Sequence, residues 1–310
     1  MLDSARTEGI TLEYSCRTGR CGICKTKVLS GETEAFKDET SLTPDERAAG
    51  LILTCCRHAL TDAEIDAEDL GALGNITVKT LPCRVDTISK LADNVVEVIL
   101  RLPPNSKLTY LPGQYLDIIC EGGLRRSYSI ANAQRDDGKL ELQIRKVEQG
   151  LMSQYWFSSA KTNDLLRLEG PLGTFSLREK DAKNIVFLAT GTGIAPVKAM
   201  LEQLLLNPSM AAGKKVFIYW GGRRLSDIYW NPQLQGLDAT FIPVLSRGDA
   251  QWAGRTGYVQ SALVEDAVDL TQSVVYACGS EEMIHSARDV LTSSGLLAKH
   301  FYSDAFVSSN

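Results

Sequence analysis

Histidine is scarce in this chain. Its three copies in 310 residues, His58, His285 and His300, are too scattered to form a spaced metal-binding set. A dominant charge is missing too, since a formal net charge of −5 supplies no basic excess for nucleic acid or a membrane surface. No apolar run approaches the length of a membrane span, and Met1-Leu2-Asp3-Ser4-Ala5-Arg6 does not read as a signal peptide. Eight cysteines are too few for a disulfide scaffold at this length. There is no internal repeat and no low-complexity tract. These absences predict a cytoplasmic protein of two or three domains with reduced thiols. What charge there is lies unevenly: residues 1–70 hold 14 acidic and 8 basic side chains, the remainder 24 and 25. The acidic end could steer a basic partner or be a solvated face.

Half of the cysteines stand in one pattern. Cys16, Cys21 and Cys24 give Cys-x4-Cys-x2-Cys, and Cys55 follows at a distance, the spacing of plant-type 2Fe–2S clusters. Thiolates from one loop must converge on two irons, so Gly19 and Gly22 remove side chains from a backbone that wraps closely. A structural zinc site is the competing reading, but zinc sites pair two Cys-x2-4-Cys hooks, and here the second hook is only the adjacent Cys55-Cys56. Cys56 is the less suitable ligand.

Three grammars follow one another. Residues 2–8 suit a short helix, Ile10–Tyr14 alternates like a strand entering the cysteine loop, and Lys25–Leu29 reads as another strand. Thr43-Pro44-Asp45-Glu46 is a helix start with a cap, a first-turn proline and first-turn acids. A boundary is expected near Gly71 and Gly74. From Thr77 to Arg178, short alternating segments (Cys83–Ile88, Val95–Leu102, Tyr115–Cys120, Tyr128–Ala131, Leu140–Val147, Leu165–Glu169) predict an antiparallel β-barrel. After Lys183, apolar strands at Ile185–Ala189, Val216–Trp220, Thr240–Leu245, Val274–Ala277 and His300–Tyr302, with a helix at Ala195–Leu206, predict a doubly wound α/β domain. The expected domains are 1–73, 77–178 and 183–310.

In the barrel segment, Arg126, Tyr128 and Ser129 offer a guanidinium for phosphate, a ring for stacking and a hydroxyl for a reactive nitrogen, which suits a flavin. A polar strand with an exposed Tyr is the plainer alternative. Arg145 leads through Gly150 to Ser153 into a probable helix, whose first turn could take a pyrophosphate. Further on, Thr190-Gly191-Thr192-Gly193-Ile194-Ala195-Pro196 follows a buried strand and opens a helix, but lacks the third glycine of the dinucleotide fingerprint. Ligands in such sheets bind at the carboxyl ends of strands, so Gly221 and Cys278-Gly279 join the candidates. Cys278 itself could be a buried small hydrophobe or lie against a nicotinamide.

With these residues in place, the chain resembles the ferredoxin–NADP⁺ reductase-like family, in its branch with an N-terminal plant-type ferredoxin domain. The resemblance covers essentially all residues. It is most specific in Leu53-Thr54-Cys55-Cys56, in Arg125 to Ala133, and in the tail Tyr302 to Val307. It implies a β-grasp ferredoxin-like domain, with the first hairpin expected to be missing because the chain starts after the point matching that hairpin. An uncovered sheet edge would then weaken cluster retention, and a structural or zinc-bound docking module becomes a further possibility. Implied ligands are Cys16, Cys21, Cys24 and Cys55. Arg126 would hold flavin phosphate, Tyr128 would stack, Ser129 would bond near N5, and Gly150 to Ser153 would hold the pyrophosphate. Gly191, Gly193 and Pro196 would shape the nicotinamide-nucleotide turn, Cys278 and Gly279 would sit by the nicotinamide, and Phe306 would cover the flavin ring. The implied cofactors are FAD, a 2Fe–2S cluster and NADH. NADPH is kept open by Ser246-Arg247, which resembles the 2′-phosphate pair of NADP-dependent relatives, and by Arg223 and Arg224. The implied partner is an electron-acceptor protein, either a pyridoxamine-phosphate-dependent dehydrase acting on a CDP-hexose towards 3,6-dideoxysugars or the oxygenase component of an aromatic-ring dioxygenase or monooxygenase.

Overall fold

The computed structural model describes residues 1–74 and 76–306, so Val307 of the tail motif lies outside the described residues. The chain forms two compact units. One comprises Met1–Thr77, Gly173–Phe175 and the end of the chain from Asp304; the other comprises Val78–Leu172 and Ser176–Ser303.

The first unit contains α1 (Leu2–Thr7), β1 (Lys25–Ser30), β2 (Thr33–Ala35), α2 (Pro44–Ala48), β3 (Leu51–Leu53), β4 (Arg57–Ala59) and β5 (Glu64–Ile65). β1 is the middle strand of an antiparallel β3-β1-β5 sheet, while β2 pairs with β4. Helix α2 starts where the local signals put it. Thr43 Oγ1 accepts the Glu46 N–H, and the Glu46 carboxylate accepts the Thr43 N–H. Leu2, Leu12, Leu42 and Leu53 close a small core over Cys24, Cys55 and Cys56. The strand expected at Ile10–Tyr14 does not form. That stretch finds single partners instead of a ladder. Thr11 N–H donates to Asp69 and Thr11 C=O accepts from Leu70, while Tyr14 N–H donates to Thr174 Oγ1 and the Tyr14 carbonyl accepts from Thr174 Oγ1 and N–H.

The second unit starts with β6 (Lys79–Ala92), β7 (Val95–Arg101), β8 (Tyr115–Ile119), β9 (Arg125–Ser129), β10 (Leu140–Arg145), a short helix α3 (Leu151–Gln154) and β11 (Leu165–Leu172). Their order, β10-β7-β6-β11-β8-β9, is closed into a barrel by a bridge between Ile130 and Leu142. Inward residues such as Val98, Leu100, Leu116, Ile118, Leu142 and Leu168 are fully buried and fill it. β9 begins at Arg125, earlier than the expected Tyr128, because its polar outward positions pair with β8 although they carry no apolar alternation.

Next come β12 (Asn184–Thr190), α4 (Ile194–Leu206), β13 (Lys215–Gly222), β14 (Ala239–Leu245), β15 (Arg255–Thr256), α5 (Val259–Glu265), β16 (Ser273–Ser280), α6 (Glu281–Ser293) and β17 (Phe301–Phe306). The sheet order is β15-β14-β13-β12-β16-β17, with β12 parallel to both β13 and β16. The order reverses between β12 and β16, which makes the carboxyl ends of those two strands the crevice of the sheet. Lys198 of α4 ties this half to the barrel. Its ammonium donates to the Ala131 carbonyl (3.1 Å), to buried Glu141 of β10 (2.9 Å) and to Glu202 (2.7 Å). A half-buried cation with three oxygen partners is costly to separate, so it fixes the α/β layer against the barrel wall.

Candidate functional site

The cysteine loop has its backbone shape imposed by glycine. Gly19 (φ +78°) lies so close to its neighbours that a Cβ would stand 2.2 Å from the Asp38 carbonyl oxygen. Cys21, Cys24 and Cys55 are buried and Cys16 is half-buried. Their sulfurs fall into two pairs. A hydrogen bond between Cys16 and Cys21 pushes the Cys16 thiol down and the Cys21 thiol up, and one between Cys24 and Cys55 pushes Cys55 down and Cys24 up. Thr18 N–H donates to Cys16 Sγ (3.4 Å). Beside Gly22, the buried Ser41 Oγ has no hydrogen-bond partner. Among the described residues, no three or more Cys, His, Asp or Glu side chains surround one metal-ion position. Two thiol pairs, an inward amide and an orphaned hydroxyl fit a dinuclear cluster, with two sulfurs per iron, better than a single tetrahedral ion.

On the barrel, two adjacent arginines have different jobs. Arg125 is engaged by Asp117 (2.9 Å) and Glu169 (2.6 Å), and Ser127 on the same face donates to Asp117. Arg126 is half-buried on the other face and donates only to the Arg125 carbonyl (2.7 Å), with no carboxylate partner among the described residues. A cation left unpaired there fits an anionic group from outside the chain. Tyr128 shares that face. Its hydroxyl accepts from Trp156 Nε1 (3.1 Å), the Trp ring stands edge-on to it, and burial pushes its phenol up to about 12. Ser129, one step along the pleat, is buried and belongs to the opposite face.

Arg145 ends β10 and is exposed, with Nη1 3.4 Å from where a Cβ on Gly191 would lie. The turn after it places Gln149 at φ +60° and Gly150 immediately before α3. Ser153 Oγ accepts the Val147 N–H (2.8 Å), so this hydroxyl shapes the turn itself.

The crevice of the α/β sheet is built by backbone contact. A Cβ on Gly193 would lie 2.1 Å from the Cys278 carbonyl oxygen, and one on Gly279 2.1 Å from Thr190 Oγ1. These two glycines therefore let the ends of β12 and β16 touch. Gly221 packs against Thr190 and Val259 in the same way, Pro196 is buried in the first turn of α4, and the Cys278 side chain is fully buried. The sequence marks the strand end at Trp220 but gives this residue no role of its own. It is fully buried at the end of β13, and its indole N–H donates to the Gly191 carbonyl (2.9 Å), holding the turn from below. The signal was an aromatic pair just before Gly221-Gly222. At the neighbouring corner, Asp227 accepts the Arg223 and Arg224 N–H groups, and Arg247 N–H bonds the Arg223 carbonyl. Phe306 ends β17 and is 37% exposed.

Three family models match in tandem: a 2Fe-2S iron-sulfur cluster binding domain over residues 1–60, an oxidoreductase FAD-binding domain over 82–177 and an oxidoreductase NAD-binding domain over 187–289. That combination, on this fold, defines an NAD(P)H-dependent electron-transfer oxidoreductase with FAD and 2Fe–2S centres. The chain belongs to the ferredoxin-reductase-like family, in the branch that carries an iron–sulfur domain before the flavin and nucleotide domains. It is 45% identical to the CDP-6-deoxy-L-threo-D-glycero-4-hexulose-3-dehydrase reductase of Yersinia pestis, over 100% of this chain and 93% of that protein. Reductase component 2 of the terephthalate 1,2-dioxygenase of a Comamonas species is 31% identical over 99% and 91% of the two chains. The solved cytochrome P450 reductase GcoB of Amycolatopsis is 29% identical with a TM-score of 0.79, covering 99% of this chain and 94% of its own. No described helix is long and apolar enough to cross a membrane.

Proposed function

We propose that this reductase draws electrons from NADH and delivers them to a pyridoxamine-phosphate-dependent dehydrase that removes the 3-hydroxyl of a CDP-4-keto-6-deoxyhexose, as a step towards 3,6-dideoxysugars of the lipopolysaccharide O-antigen. The carrying observation is the 45% identity to a CDP-hexulose dehydrase reductase along the whole chain, against 31% to the dioxygenase component. The cytoplasm is the compartment that fits, since all eight cysteines are unbridged.

The chemistry of the bound groups is that a flavin takes two electrons as hydride and gives them up singly, and a 2Fe–2S cluster carries one at a time. The chain's part is to hold and orient them. Cys16 with Cys21 and Cys24 with Cys55 are the ligand pairs. Arg126 neutralises flavin phosphate, Tyr128 offers its ring, and Arg145 with the turn Gly150 to Ser153 takes the pyrophosphate. Gly191, Gly193, Pro196, Gly221 and Gly279 shape the nucleotide crevice beside Cys278.

NADH is favoured over NADPH because the Asp227 carboxylate already occupies the amides of Arg223 and Arg224, placing negative charge at the corner a 2′-phosphate would enter. Steady-state kcat/KM with ferricyanide is expected to favour NADH. A preference for NADPH that Arg247→Ala abolishes would reject this assignment. The broader reading is tested by the visible spectrum under argon before and after NADH. Flavin and iron–sulfur bands should both bleach, and turnover should be reconstituted by the dehydrase rather than an oxygenase. Flavin bands without iron–sulfur absorbance would remove the cluster from the reading.

A further inference from the structure

A fifth cysteine stands against the cluster seat and takes no part in the roles above. Cys56 is fully buried. Its Sγ lies 3.5 Å from Cys55 Sγ and 3.6 Å from the Asp38 carbonyl oxygen. The residue is held from both sides: its carbonyl accepts the Phe36 N–H (2.9 Å), and Arg57 beside it pairs with Ala35 in the β2–β4 ladder. A Cβ on Gly19 would come within 2.9 Å of this sulfur, so Cys56 sits directly under the cysteine loop. The Cys56 thiol is the donor that faces the Cys55 sulfur.

This inference rests on Cys55 being a cluster ligand. A ligand sulfur carries no proton and can only accept, so the hydrogen between the two sulfurs belongs to Cys56. The Asp38 carbonyl competes for it at a similar distance, but a charged sulfur is the stronger acceptor. Packing alone would not require sulfur here, since a small apolar side chain fills such a site as well. We propose that Cys56 is a positioning residue whose S–H donates to Cys55 Sγ and raises the reduction potential of the cluster. The sign follows from charge: reduction adds an electron to the cluster, so a donor on its sulfur favours the reduced form.

The test is a redox titration of the full-length holoprotein and its Cys56→Ala and Cys56→Ser variants, read by the electron paramagnetic resonance of the reduced cluster. Cys56→Ala should shift the ratio of reduced to oxidised cluster three- to tenfold towards oxidised, about 30–60 mV lower at 59 mV per decade for one electron. Cys56→Ser, which keeps a donor, should lie between it and the unaltered chain. Equal potentials in the Ala variant and the unaltered chain would overturn the proposal. A second measurement needs no folded variant. The reduced-minus-oxidised infrared difference spectrum of the unaltered protein should show an S–H stretching band that shifts with the state of the cluster. Absence of that band overturns the proposal even where Cys56→Ala fails to hold iron. If iron and acid-labile sulfide are missing from the unaltered chain, the cluster seat itself is refuted and this inference goes with it.

Discussion

Replacing Arg126 by leucine should cost the protein its flavin, whereas the same change at Arg125 should not. The two residues are neighbours in one strand, yet the pleat points them to opposite faces. Arg125 is spent on Asp117 and Glu169 with its side chain 43% exposed. Exposed ion pairs contribute at most about 1 kcal/mol, so Arg125→Leu should lower the melting temperature by a few degrees and leave FAD affinity unchanged. Arg126 has no acidic partner among the described residues and is free to serve a phosphate. A hydrogen bond to a charged group contributes about 1.5–3 kcal/mol, which corresponds to about 10- to 100-fold in the Kd for FAD. The assay is titration of flavin-stripped protein with FAD, followed by quenching of flavin fluorescence, alongside thermal unfolding of each variant. Equal weakening by both substitutions, or a loss of flavin at Arg125 only, would refute the assignment of the two faces.

In the nucleotide crevice, Gly193→Ala would drive a Cβ to 2.1 Å from the Cys278 carbonyl oxygen. Strand ends that must part should raise KM for NADH about tenfold or more and lower the melting temperature, while FAD binding persists. Trp220→Phe removes the indole donor to Gly191, and stopped-flow reduction should show about a three- to tenfold weaker Kd for NADH with little change in the limiting rate. Asp304 gives a pH test. Burial pushes its carboxyl up to about 6, with Ser15 Oγ donating to it at 2.5 Å. Between about pH 4, where an unfolded Asp ionises, and about pH 6, the folded state holds the extra proton. Its contribution to stability is thus present at low pH and is lost as pH rises through that window. Urea unfolding should show this slope, and Asp304→Asn should flatten it.

The signals that sequence carried were local ones. Thr43, Pro44 and Glu46 specify the start of α2 within four residues, and the capping geometry follows directly. Cysteine spacing and the Gly191–Gly193 turn are equally local as patterns, although the contacts they make with Asp38 and Cys278 are not. What stayed hidden depended on distant partners. Ile10–Tyr14 has a strand's alternation, but whether it becomes one depends on what lies alongside, and its partners are residues 69–70 and Thr174. Arg125 and Arg126 are alike as letters until Asp117 and Glu169 arrive from other strands. Ser129 shares a short motif with Tyr128, but the pleat separates their side chains. Trp220 ends an expected strand, and its role comes from a carbonyl 29 residues earlier.

The iron–sulfur unit is stitched from three separated stretches of chain, and that has a consequence for how the protein is made. The Tyr14–Thr174 bond joins residues 160 apart, and the Ser15–Asp304 bond joins residues 289 apart. On the ribosome, the cysteine loop is made 289 residues before the Asp304 that braces it. Domains that fold as they emerge would leave this one unfinished until Asp304 has been translated. A cassette cut at residue 77 for transplantation would leave behind the residues that brace Tyr14 and Ser15.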